Sequence, residues 1–478
     1  MSEISYQDNL NLNILTRRGA ANAAYNNRYW YKGLKNGVRT LAEKKYYCEK
    51  SDGESEKRYD KRLNRTEHYD VVGRAVDIYA SIPFEKKPIL KTQDEYIKSL
   101  YKSFDVRGQS IGEFGKEVLT TSLWDGMANV FADLPKVDGN GNGKAKNPYC
   151  FIIENDDIHN VVFDFTGELV SFHFMTSQVT QDPSNPFNYV NLRTGRVYNK
   201  MINGKVYFTE YKEDFEGNFI ETKPQEYFLN YIPLKTYYPK VQSIKDLQNP
   251  RSPIEALAHK NVEHLRSNTD QRNILHTVRV PILFGKGFRN EGNTITISAE
   301  GVWVVEGEEG VSVDLKYVEP MSGKAIDGGR QDIIDILQQM EVLGLSVLNK
   351  KSNITATATN VDERQNTSIM TSYAQRLEDF LKEVVDMMVD IKQVANGENR
   401  SKKPEYELEI DSIYSDIHDQ ARIQYMQFLV SSSIVSGDAA VEYGKEIGVI
   451  KSETTYEDEQ EKILATGIGG IETTFNEE

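Results

Sequence analysis

Two apolar stripes at helical spacing, held apart by a polar stretch, constrain this chain more than any other feature. Upstream, Ile333, Ile336, Leu337, Met340, Leu343 and Val347 recur at three- and four-residue intervals. Downstream, Ile369, Tyr373, Leu377, Phe380, Leu381, Val384 and Met388 do the same. Between them runs NKKSNITATATNVDERQNTS, residues 349–368. Thr and Asn side chains compete for backbone hydrogen bonds, so residues 353–360 are expected to form a polar, uncharged loop that joins two helices.

A second constraint lies just upstream. A helical pattern over 254–278 follows Pro253, the strand-like segments VPILFG, NTITIS, GVWVVEG and VSVDLKYVEP fill 280–320, and another helix spans about 325–348. Helix, small β-module and returning helix make a hairpin with a β tip, each arm about 35–40 Å long at 1.5 Å per residue. RSNTDQRN at 266–273 is polar on all sides, so it needs neighbours on more than one face. Its Arg266, Asp270 and Arg272 are candidate contacts between subunits.

Residues 1–135 read as mainly helical, with Ser110 and Glu113 forming a capping box ahead of Phe114, Val118 and Leu119. From 147 to 232 the period changes to that of strands in FIIEN, VVFDFTG, LVSFHFM, KVYFTEY and NFIETK. DGNGNG at 138–143 is the expected hinge between these regions. EYELEIDSIY at 405–414 is a strand returning to a sheet, and Ile417, Ala421, Tyr425, Phe428 and Leu429 mark a helical tail. The class is α+β, and 478 residues should divide into several sub-domains.

Charge narrows the partners. Lys and Arg number 57 against 72 Asp and Glu, a net of −15, with residues 1–70 mildly basic and 401–478 acidic. Tight DNA binding needs a basic face, whereas an acidic wall lets DNA move. No apolar run approaches the ~20 residues that cross a bilayer, so no membrane partner is expected. MSEISYQDNLNLN lacks a secretory pattern, which predicts a protein that stays in the cell making it. Cys48 and Cys150 read as free thiols.

The motifs of catalysis fail on inspection. GQSIG at 108–112 has the nucleophile-elbow spacing, but Ser110 is already a cap and no buried strand precedes it. DGNGNG begins as a calcium loop with Asp138, Asn140, Asn142 and Gly143, yet Tyr149 stands where the bidentate Glu belongs. Gly143 and Lys144 are followed by Ala145, not Ser or Thr, and His259, Glu263 and His264 lack zinc-ligand spacing. No catalytic, cofactor or metal residues are expected. The rival class is a cytoplasmic serine hydrolase built on Ser110, which would run as a monomer or small oligomer.

The order of parts resembles the portal proteins of tailed bacteriophages. The resemblance rests on RYDKRLNRT at 58–66, SIPFEKKP at 81–88, DVRGQSIGEF, LWDGMANVFADLP and SPIEALAHKNVEHLRSNTDQRNILHTVRVPILFGKG. YVEPMSGKAI at 317–326, MEVLGLSVL, ITATAT and the following helix extend it over most of 58–395. It implies a ring, typically of twelve subunits, at one capsid vertex of the virion, assembled in the host cytoplasm. The genome would pass through it during packaging and ejection. By that likeness 1–251 is the N-terminal region and wing, 252–279 and 321–348 the stem, and 280–320 the clip. Residues 349–361 are the tunnel loop, 362–414 the long helix and return to the wing, and 415–478 the crown. Implied partners are the major capsid protein, a packaging terminase, a tail or adaptor protein, and transient, sequence-blind double-stranded DNA.

The resemblance also carries site residues. Lys350, Lys351, Ser352, Asn353, Thr355, Ala356, Thr357 and Thr359 would face DNA, with the two lysines as phosphate ligands. Trp303, Glu306, Glu308 and Glu309 would meet a docking partner, although the module's apolar residues equally suit its own core. Arg17, Arg18, Arg28, Tyr29, Trp30 and Lys32 mix charge with aromatics and could meet capsid, scaffold or DNA. A non-portal capsid or head-completion protein is the alternative, and it predicts assembly without a channel.

Overall fold

The computed structural model describes residues 32–134, 147–240, 250–279, 282–286, 314–318, 323–345, 356–398 and 404–411, together with short pieces at 10–18 and after 437. The front is helical: α1 (Lys32–Lys35), α2 (Leu41–Tyr47), α3 (Glu56–Asn64), α4 (Val71–Ser81), α5 (Glu95–Lys102) and α6 (Ile111–Asp125). Most start at a side chain that accepts from an orphan backbone N–H: Thr40, Ser55, Asp70, Asp94 and Ser110. Helix α6 ends at Gly126, whose φ of 81° is left-handed and whose missing Cβ would lie 2.9 Å from the Arg251 carbonyl carbon.

One short strand, β1 (Ile89–Thr92), interrupts the front, and the β-rich body follows. Strands β2 (Ala128–Asp133) and β3 (Tyr149–Ile153) pair with each other, and β10 (Leu234–Tyr237) pairs with β2. The second sheet is an antiparallel meander of β4 (Ile158–Phe163), β5 (Leu169–Asp182), β6 (Asn185–Lys200), β7 (Val206–Glu213) and β8 (Phe219–Glu221), with β9 (Gln225–Glu226) also on β7. The strands expected over 147–232 are therefore present. Beyond residue 176, however, β5 and β6 run on as a two-stranded arm that exposes Val179, Phe187 and Tyr189.

The remaining elements are α7 (Glu255–Val278), β11 (Ile282–Lys286), β12 (Asp314–Val318), α8 (Gly323–Met340), a π-helical turn (Glu341–Leu345), α9 (Ala356–Asn396) and β13 (Tyr406–Glu409). The architecture is α+β. One buried cluster runs from Leu34 to Ile410 and joins the front helices, the β-rich body and α9. Phe131 sits at its centre, with Phe151, Phe172, Phe174 and Tyr198 within 5.2–6.4 Å ring to ring.

Two sequence expectations change, and a third falls on residues that are not described. DGNGNG, the expected hinge, lies outside the described residues; β2 and β3 on either side of it pair with each other. The strand at 406–409 pairs with β1, not with the body, through Ile89↔Glu409 to Thr92↔Tyr406. Finally, α9 begins at Ala356, inside the stretch expected to be a loop. Alanine is the best helix former and threonine costs only a few tenths of a kcal/mol beside it, so the polar insert is less hostile to helix than its hydroxyls imply.

Candidate functional site

The hairpin is the part of the fold that carries the candidate residues. Its first arm, α7, is seated on the front through Ser252, whose hydroxyl donates to the Leu123 carbonyl at 2.6 Å and accepts from the Ile254 N–H. Ile254, Leu257, Ala258, Val262 and Leu265 are buried against that base. Asn261, fully buried, accepts from the Val72 N–H and donates to the Tyr69 carbonyl at 2.9 Å.

Beyond Leu265 apolar burial stops and hydrogen bonds take over. Arg266 donates to the Tyr47 carbonyl at 2.7 Å, and Thr269 lies 3.7 Å from the Cys48 sulfur. Asp270 pairs with Arg62 at 3.3 Å, and Arg62 also forks onto Glu54 and donates to the Glu49 carbonyl. The polar stretch thus has neighbours on several faces, as its composition demands. Of its three candidate inter-subunit residues, Arg266 and Asp270 are engaged within the chain, and Arg272 stands exposed.

The second arm packs antiparallel on the first. Ser267 donates to Asp332, and Gln271 donates to the Ile326 carbonyl at 2.9 Å. Gly329 faces Gln271 so closely that a Cβ there would meet its side-chain oxygen at 2.1 Å, so a larger residue would displace the Gln271 amide from its bond to Ile326. Strands β11 and β12 continue the pairing outward, from Ile282↔Val318 to Lys286↔Asp314. The expected hairpin and the base of its β tip are therefore present. Trp303, Glu306, Glu308 and Glu309 lie outside the described residues.

At its base α8 buries Ile336 and Met340, then passes into the π-helical turn. Such turns accommodate an extra residue where a helix changes course. Lys350, Lys351, Ser352, Asn353 and Thr355 lie outside the described residues, while Ala356, Thr357 and Thr359 fall in the first turn of α9. That helix spans 41 residues, about 60 Å. Its later part is anchored: Leu377, Leu381, Val384 and Met388 are fully buried, Tyr237 donates to the Tyr373 carbonyl at 3.0 Å, and Tyr406 donates to Asp386 at 2.8 Å.

Sequence reading missed a buried pair in the body. His159 on β4 and His173 on β5 lie 5.2 Å apart ring to ring, tilted 48° to each other, beside a piece of the N-terminal segment. There Ile14 is buried beside Met175 and Phe219, the Arg18 N–H donates to the His159 carbonyl, and Arg17 donates to the Asp156 carbonyl. Burial pushes the imidazoles down to about 4 for His159 and about 3 for His173. Arg28, Tyr29 and Trp30 lie outside the described residues. The strand alternation was the only signal available: it puts both histidines on strands but says nothing of their pairing.

Ser110 is held as a cap. It accepts from the Glu113 N–H, and its hydroxyl donates to the Glu113 carboxylate at 2.8 Å. Cys48 and Cys150 are free and buried, and burial raises both thiols. Among the described residues, no helix is long and apolar enough to cross a membrane.

Residues 253–391, the hairpin and most of α9, match a family described as a domain of unknown function (DUF4055). No curated protein matches the chain. Solved structures similar to it include the virion of a native gene transfer agent particle, at 11% identity over 79% of this chain and 89% of that one, with a TM-score of 0.42. The neck of the native particle with C12 symmetry gives 12%, 78%, 88% and 0.41. Scores this low leave any functional reading to rest on the chain's own residues.

Proposed function

We propose that this chain is a portal-type protein of a tailed-phage particle, forming a ring, typically of twelve copies, at one capsid vertex. The observation that carries the reading is the hairpin of α7 and α8 with the β11–β12 ladder at its tip and the long, anchored α9 behind it. The ordered sequence resemblance to portal proteins spans the same elements. In this reading α7 and α8 are the stem, the module between β11 and β12 is the clip, and the β-rich body is the wing. The clip, with Trp303, Glu306, Glu308 and Glu309, meets the terminase and the tail or adaptor protein.

The tunnel segment is then 349–355 together with the first turn of α9. Lys350 and Lys351 give transient phosphate contacts, and small residues such as Ala356 and Thr357 keep those contacts weak and sequence-blind. A chain with net charge −15 does not grip DNA over a broad surface, which suits a channel through which DNA moves.

Negative-stain imaging with native mass measurement tests the reading. The expected result is a ring with a central channel and a mass of many subunits. A stable monomer at micromolar concentration and physiological salt overturns it. Within a confirmed ring, Lys350→Ala with Lys351→Ala should leave the mass unchanged and reduce DNA retained by packaged heads. Full retention removes these lysines from the channel.

A further inference from the structure

The meander of the body has two faces, and only one of them belongs to the aromatic core. Phe172, Phe174 and Tyr198 turn to Phe131, so His173, Met175 and Val197, which alternate with them along β5 and β6, turn the other way. A short piece of the N-terminal segment, residues 13–18, is seated on that outer face. Its Ile14 is buried with Met175 and Phe219, and Leu10 and Tyr211 pack around them. A Cβ at Gly195 would stand 2.9 Å from the Met175 sulfur and 3.6 Å from Ile14, so the floor of the seat carries no side chain of its own there.

A β-bulge builds the rest of the seat. Ile158 pairs with Phe174 and Asn160 with His173, which leaves His159 as an extra residue on β4 without a partner on β5. A bulged residue leaves the ladder and is aimed elsewhere. The His159 carbonyl accepts the Arg18 N–H at 2.9 Å, its ring donates to the Ile14 carbonyl, and Arg17 donates to the Asp156 carbonyl. The rings of His159 and His173 are 6% and 7% exposed, and Nδ1 of the first and Nε2 of the second have no hydrogen-bond partner among the described residues.

Among the described residues, every charged group that acts on these rings is a cation or becomes one. Arg17 and Arg193 act on His159, and Arg18 and His159 itself act on His173. Arg193, on β6, is held by Glu213 of β7, so that carboxylate is already engaged. Asp156 and Asp157, on the turn that leads into β4, act on neither ring. A proton taken up by either imidazole is therefore buried among like charges without a counter-ion. The same cations oppose a metal ion at the two unbonded nitrogens.

We propose that residues 13–18 form a detachable strap, and that His159 and His173 are a latch that releases it in mild acid while the body stays folded. The docked strap requires neutral rings. Undocking opens them to water, where a proton is no longer penalised, and it uncovers the apolar seat of Met175, Tyr211 and Phe219. Burial first, and the neighbouring cations second, hold the docked imidazoles at about 4 and about 3, below the ordinary 6.5. A group whose proton affinity is lower docked than released favours docking at high pH. Each histidine that recovers its ordinary value on release weakens docking about thirtyfold at pH 5 and has no effect well above pH 6.5. The inference does not rest on the ring reading and holds for a single chain.

Amide exchange of the full-length chain tests it. The Arg18 N–H is held by the His159 carbonyl, so its protection factor, corrected for the intrinsic pH dependence of exchange, measures docking. That factor should fall at least about thirtyfold from pH 7.5 to pH 5 and recover on return. At pH 5 the Arg18 amide should be at least about a hundredfold less protected than the amides of Phe172 and Phe174, because the strap opens without the body. In His159→Gln with His173→Gln, the fall should shrink to about threefold or less. If circular dichroism finds that double variant unfolded at pH 7.5, the two single variants decide, and at least one should reduce the fall about tenfold. Protection at Arg18 that does not change with pH, or that equals that of Phe172 and Phe174 at pH 5, overturns the proposal. So does a fall that survives removal of the histidines.

Discussion

In the β-rich body, Phe131, Phe172, Phe174 and Tyr198 pack against one another with at most 1% of their surface exposed. Across the outer hairpin, no apolar side chain of 266–279 or 323–335 is buried among the described residues, and Ile274 and Ile334 are each more than a third exposed. The body is held by apolar area removed from water, and it closes on itself. The outer hairpin is held by hydrogen bonds and ion pairs, each contributing about 1 kcal/mol net, so it gains most from neighbours. A part that carries its own core can stand alone, whereas one stitched together by polar contacts is suited to being completed by another surface.

The largest expected effect lies in the aromatic core. Phe174→Ala removes a fully buried ring packed against Phe131, Phe151, Phe172 and Tyr198, and should cost about 3–5 kcal/mol in urea unfolding. A loss below about 1 kcal/mol would mean that the body is not the stabilising centre.

Next in size is Arg62, 5% exposed, which ties α3 to α7. Arg62→Ala leaves Glu54, itself only 12% exposed, without its cation, and should cost about 3 kcal/mol. Amide exchange should rise over α3 and the middle of α7 while the body stays protected. Uniform loosening would mean that the body and the outer hairpin are not held by different forces.

The body carries its own pH liability at His159 and His173. Their folded values, about 4 and about 3, lie below the usual histidine value of 6.5, so the unfolded chain binds more protons across that window. Stability should hold above pH 6.5 and fall progressively as the pH drops towards 4. Replacing both histidines with Gln should flatten that slope in chemical denaturation curves run at pH 7 and pH 4.5. An unchanged slope would place the acid sensitivity elsewhere. The smallest effect belongs to the arm of β5 and β6: Phe187, 92% exposed, should tolerate Phe187→Ser within about 0.5 kcal/mol.

Much of this molecule was legible in local pattern. The capping box of Ser110 and Glu113, the alternation that makes β4 to β8, and two helical arms around a strand pair all follow from spacings of a few residues. Caps, periods and turn residues act over one or two turns of chain, so a sequence displays them directly.

Tertiary structure alone decided the partners. Strand β13 could be read as a strand, but its pairing with β1, more than three hundred residues away, could not. Arg266 and Asp270 read as free for another subunit, yet Tyr47 and Arg62 engage them from some two hundred residues upstream. The approach of His159 to His173 likewise depends on which elements pack side by side. A period tells a residue which way to face on its own element. What it meets there depends on the packing of distant segments, where burial and hydrogen bonding are satisfied jointly and no local spacing records the choice.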